Sequence, residues 1–261
     1  MRTAIDTRSD RAAGAALTAA AFGDEPGRWP LPSAITPRQL WLRAVAAGGQ
    51  GRYGSADDDL ATLIRAAPAA SLASLAHSTR ASFLRQLGWH ARARGWDGRA
   101  LALAGADPEA AADALIGLAA DALGVGRLAA SAVLLRRADQ EVAQARAPRL
   151  AIRRAWVAAE LAMAAGDGAA AVRHAGHAVA AGRAERAVSA RHRAKSEMVW
   201  AAALCSAGDV DRARAVGEEA LESTERLGLR PLRWALACLL IDLTSSTRTT
   251  RDLCRIRDEC A

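Results

Sequence analysis

Asparagine is missing from this 261-residue chain, lysine occurs once, as Lys195, and beyond seven tryptophans the aromatic set is two phenylalanines and one tyrosine. Isoleucine is sparse as well, so residues that favour strands are few. Alanine and leucine, both good helix formers, dominate a hydrophobic fraction of 51%. Disorder over the whole length is excluded, and an all-α chain is predicted. Only four cysteines occur, Cys205, Cys238, Cys254 and Cys260, all in the last quarter. That is too few and too clustered for a disulfide scaffold, so a reducing, cytoplasmic location is expected. No apolar run reaches the roughly 18 residues a membrane span needs, and no membrane association is expected.

What is abundant needs weighing. The 35 basic residues outnumber the 28 acidic ones for a net charge of +7, which taken alone points to an acidic partner. Arginine in place of lysine, with alanine and glycine in excess, is also what codon usage in a high-GC genome of the actinobacterial type produces. Net charge therefore decides little here. At the N-terminus, Arg2, Arg8 and Arg11 precede the weakly apolar stretch 12–22, a faint echo of a secretion signal, but Asp6 and Asp10 interrupt the basic region. A disordered or loosely packed arm is expected over 1–36.

The sequence repeats. Ala165-Gly166-Asp167 recurs 42 residues later as Ala207-Gly208-Asp209, and in both cases small residues stand seven before and five and twelve after the glycine: Ala159, Ala171 and Ala178, then Ala201, Ala213 and Ala220. The same phase can be laid on Gly51, Gly95 and Gly126, where the residues seven before and five after are again Ala, Gly or Ser. Gly51-Arg52-Tyr53 and Pro68 add a turn and a closing proline. Thr36-Pro37 and Asp107-Pro108-Glu109 read as N-caps followed by proline in the first helical position. Helix pairs are predicted at about 37–67, 79–106, 109–146, 149–183 and 190–227, then a single helix over 231–243 and a polar tail over 244–261.

This pattern resembles the tetratricopeptide repeat, two antiparallel helices joined at a Gly-Asp turn with small residues where they cross. The resemblance covers about residues 37–243. It implies an all-α, right-handed α-solenoid of about five helix pairs with a C-terminal capping helix, which recognises other proteins or peptides and does no catalysis. In that family the concave groove is lined by the first helix of each pair. Carried over, the groove positions are Arg38 and Trp41; Ser82, Arg85, Trp89 and Arg92; Asp113 and Ile116; Arg153, Trp156, Glu160 and Met163; Lys195, Met198 and Cys205; and Arg233 or Trp234 of the last helix. Five cations face two anions with three tryptophans between them, which suits an acidic peptide: guanidinium forks pair carboxylates and tryptophan supplies contact area. The carboxylate clamp of chaperone-binding members uses asparagines, so that particular activity is not expected.

Other chemistry is thinly represented. His174 and His177 lie three apart, with no third ligand at metal-site spacing, and Cys254 and Cys260 flank five residues, which matches no standard metal motif. No metal or other cofactor is expected. The chain has no P-loop, dinucleotide turn, HExxH or GxSxG motif. A nucleic-acid binder would cluster its cations, whereas here Asp57-Asp58-Asp59 and Glu218-Glu219 are interleaved with them, so nucleic acid is not the expected partner. A sensor or regulatory subunit of a transcription or signalling system is a third reading. The alanine-rich faces also permit a homo-oligomer.

Overall fold

The computed structural model describes residues 7–66, 69–184 and 189–261; Pro68 lies outside the described residues. Thirteen helices and no strand are found among them. They are α1 (Thr7–Phe22), α2 (Pro37–Gly49), α3 (Tyr53–Arg65), α4 (Ala70–Gln86), α5 (His90–Ala104), α6 (Pro108–Gly124) and α7 (Leu128–Gln144). After these come α8 (Arg149–Ala164), α9 (Gly168–Ala184), α10 (Ala190–Ser206), α11 (Val210–Arg226), α12 (Arg230–Leu243) and α13 (Thr250–Cys260). Each helix packs on the next in chain order. The even-numbered helices α2 to α12 also touch one another in succession, forming an inner row flanked by α3 to α13.

The local chemistry of the turns explains the regularity. At Gly51, Gly88, Gly126, Gly166 and Gly208 the backbone takes φ between 76° and 85°, open to glycine and strained for other residues. The amide after each glycine returns to the carbonyl five residues before it, as in Arg52 to Ala47 (2.9 Å) and Asp209 to Leu204 (3.0 Å), closing the helix end in a Schellman arrangement. These glycines are spaced 37, 38, 40 and 42 residues apart. Seven before and five after each lie Ala44 and Ala56, Ala81 and Ala93, Ala119 and Ser131, Ala159 and Ala171, Ala201 and Ala213, every one with no exposed surface. A methyl or hydroxymethyl is all that fits where the two helices cross.

One turn was mis-assigned by the sequence. Gly95, expected to end the first helix of a pair, sits inside α5, and the turn is at Gly88, with α4 beginning at residue 70 and not near 79. The cause is aliasing. The small positions fall at −7, 0, +5 and +12 from the turn, so a shift of seven, two helical turns, superposes one pair of positions on another.

Both ends differ from the sequence expectation as well. Within the segment read as an arm, α1 buries Leu17, Ala20 and Ala21, an i, i+3, i+4 stripe, against α2. Within the segment read as a tail, Thr249 caps α13 by accepting from the Asp252 amide (3.2 Å), and Leu253 and Ile256 are buried in a cluster with Leu236 and Leu240 of α12.

The two ends of the inner row are tied together. The Ala190 amide donates to the Gly23 carbonyl (3.1 Å), and Arg193 pairs with Asp24 (2.5 Å). The Gln50 side chain donates to the carbonyls of Pro26 (2.8 Å) and Arg28 (3.0 Å), holding the 23–28 segment on α2. Gly27 lies so close to the α11–α12 turn that a Cβ there would stand 2.7 Å from the Leu227 carbonyl oxygen. The segment after α1 thus forms a seam between α2 and the α10–α12 end.

Candidate binding cavity

Because the ends meet, the inner faces of α2, α4, α6, α8 and α10 surround a cavity of about 520 Å³, with Phe22 of α1 and Pro231 of α12 at its margin. Its apolar wall includes Val45, Phe83 and Ile116. Its charged wall carries Arg85, Arg149, Arg153, Arg191 and Lys195 against Asp113 and Glu160.

The residues expected to form a groove divide into two sets. Trp41, Arg85, Arg153, Trp156, Glu160 and Lys195 line this cavity. Trp41 and Trp156 are core residues with only 2% and 6% of their surface exposed. Their indole N–H groups donate to Thr79 (3.0 Å) and Ser196 (2.9 Å), so each offers a ring edge to the cavity. Arg38 lies outside the lining, exposed, over the Trp41 ring at 4.4 Å. Trp89 and Arg92 are also outside. Trp89 follows the Gly88 turn, is 49% exposed, and carries Arg92 over its ring at 5.2 Å. Their displacement follows directly from the shifted second turn.

Three lining residues escaped the sequence reading: Arg149, Arg191 and His192. The signal was available. Arg149 and Arg191 stand 42 residues apart, the period of the clearest repeat, and each lies four residues, one helical turn, before Arg153 and Lys195. The resemblance supplied no groove position so early in the helix.

These basic positions form rungs. In α6 the equivalent sites hold acids, Glu109 and Asp113, and they neutralise α8. Arg149 pairs with Glu109 (2.8 Å) and Asp113 (2.6 Å), and Arg153 with Asp113. In α10 the same two sites hold Arg191 and Lys195, and α8 presents them with arginines. Among the described residues neither has a carboxylate within ion-pair distance. Arg191 donates to the Val45 carbonyl (3.2 Å), and the Lys195 ammonium lies 4.8 Å from the centre of the Trp156 ring. Burial and then Arg149 push the Arg191 guanidinium down to about 10. Burial and then Arg85 take Arg153 to about 10 as well. Burial also lowers Lys195, with Arg153, Arg85 and Arg191 adding to the effect against Glu160. His192, buried and stacked on Trp156 at 5.3 Å, is driven well below its ordinary range by burial and by Arg191, and is neutral at pH 7. Cations that depress one another in this way leave the cavity short of negative charge.

Arg85 is the exception, since it is already satisfied. It bridges two buried aspartates, Asp97 and Asp121, the latter at 3.0 Å, and Asp97 also accepts from Ser78 (2.8 Å). Among the described residues no group of three or more His, Cys, Asp or Glu side chains is placed to hold a metal ion, and no helix is long and apolar enough to cross a membrane. The chain matches no protein-family model and no curated protein.

Proposed function

We propose that this chain is a non-enzymatic interaction protein, an adaptor or regulatory component, that holds a short acidic peptide segment in its central cavity. In this reading the fold is a tetratricopeptide-like, right-handed α-solenoid of about five helix pairs, capped by α12 and α13. The even spacing of the Schellman turns and the buried small residues at fixed offsets support that assignment. The observation that carries the function is the wall of the cavity: five cations against two carboxylates, beside Trp156 and Ile116. Guanidinium forks recognise carboxylates, apolar walls take the rest of a peptide, and a volume of about 520 Å³ lies within the range of sites that enclose small ligands. A folded domain does not enter such a space. A peptide end does.

Panning a displayed random-peptide library against the full chain tests this. Sequences rich in Asp and Glu should be enriched, and the recovered peptides should bind at least about tenfold more weakly, a loss of about 1.4 kcal/mol, to Ala120→Trp, which fills the cavity from a partly exposed lining position without removing a charge. Enrichment without acidic preference, or binding that Ala120→Trp leaves unchanged, would count against the cavity as the site.

A further inference from the structure

We infer that Arg191 and Lys195 are the unmatched rungs of an internal carboxylate ladder, and that the ligand completes it with two carboxylates borne on a peptide's C-terminal glutamate or aspartate. This rests on the cavity being a peptide site, and it assigns the end of the peptide that is held and the residues that hold it.

The molecule supplies its own precedent. Glu109 and Asp113, one helical turn or about 6 Å apart along α6, satisfy Arg149 and Arg153 one turn apart on α8. Arg191 and Lys195 repeat the basic spacing on α10, yet the next inner helix back is α8, whose residues at these positions are themselves basic. Glu160 is the nearest acid to influence Lys195, and it makes no ion pair with it among the described residues. An acidic C-terminal residue carries a main-chain carboxylate and a side-chain carboxylate on one short unit, the pattern that Glu109 and Asp113 present to α8. Trp156, which lies against Lys195, and Ile116 provide apolar surface for the residue before it. A single point anion such as phosphate answers only one rung at a time.

The test uses the full chain and two tetrapeptide pools, each randomised at the first three positions, one ending in Glu with a free carboxylate and the other in Gln with a C-terminal amide. Wild type should retain the Glu-terminated pool about tenfold or more over the amidated pool, and Arg191→Gln/Lys195→Gln should lose that preference. Glutarate should displace the Glu-terminated pool, and inorganic phosphate at the same concentration should not. Equal displacement by phosphate would make the cavity a general anion site and overturn the two-carboxylate assignment. Retention by wild type and by Arg191→Gln/Lys195→Gln alike, abolished by Ala120→Trp, would keep the peptide cavity and overturn the ladder; retention of neither pool by wild type would sink both. Thermal unfolding without ligand gives a separate readout. Removing unmatched cations should raise the melting temperature of Arg191→Gln/Lys195→Gln by about 2–4 °C, whereas Arg153→Gln, which removes a partner of buried Asp113, should lower it. A fall in both would make Arg191 and Lys195 structural and overturn the proposal.

Discussion

Asp97 and Asp121, both with no exposed surface, share the guanidinium of Arg85. One positive charge serves two carboxylates, and Asp121 Oδ2 has no partner among the described residues. Burial pushes Asp97 up to about 6, with Asp121 adding to the effect against Arg85, and burial raises Asp121 too. An unfolded aspartate titrates near 3.8, so between these values the folded chain binds more protons than the unfolded one. This site therefore gains stability as pH falls through that window and loses it as pH rises through about 6. His192 acts in the opposite sense, because its depressed folded value removes stability as pH falls below 6.5. Comparison of wild type with Asp121→Asn separates the two. In the variant Asp97 moves back toward its ordinary range, and the gain between pH 7 and pH 5, read by chemical denaturation, should shrink by about 1–2 kcal/mol. An unchanged difference would show that the two aspartates do not compete for Arg85.

At the scale of the helix, the register of α4 and α5 can be read through two glycines. Gly95 lies within α5 with open space where a Cβ would stand, so Gly95→Ala should stabilise the chain by about 0.5–1 kcal/mol. Gly88 holds φ of 79°, and Gly88→Ala should cost about 1–2 kcal/mol. Denaturant midpoints decide, and a turn at Gly95 would reverse the two signs. The same helices mark the limit of what the sequence made legible. Alanine offsets and Pro caps placed α2, α3 and α6 to α12 within a few residues, since tight crossings demand small side chains and caps are local. The second pair was ambiguous because its small positions repeat every seven residues. The stripe in α1 is mostly alanine and that in α13 only Leu253 and Ile256, and such narrow stripes declare themselves only once α2 and α12 are there to cover them. Within the cavity, Arg153, Trp156, Glu160 and Lys195 followed from helix phase, whereas Arg149 and Arg191 did not, because their role depends on which charges the neighbouring helix presents.

Over the whole molecule, the seam at residues 23–28 turns a row of helices into an enclosure. Gly27 is its tightest point, and a side chain there meets the Leu227 carbonyl. Gly27→Val should speed hydrogen exchange at the Ala190 amide and at the start of α12 by about tenfold, which corresponds to about 1.4 kcal/mol of local stability, and leave α5 to α7 unchanged. Uniform acceleration along the chain, or none, would show that the seam is not a separate local contact. Open arrays of stacked helices lengthen by duplicating a unit, because each unit touches only its neighbours and a new one is added at no cost to the others. A chain whose first and last helices are fastened to each other has no such freedom, since one more pair would tear the fastening apart. Its lineage can diversify only by exchanging the side chains that face inward, at a fixed number of turns.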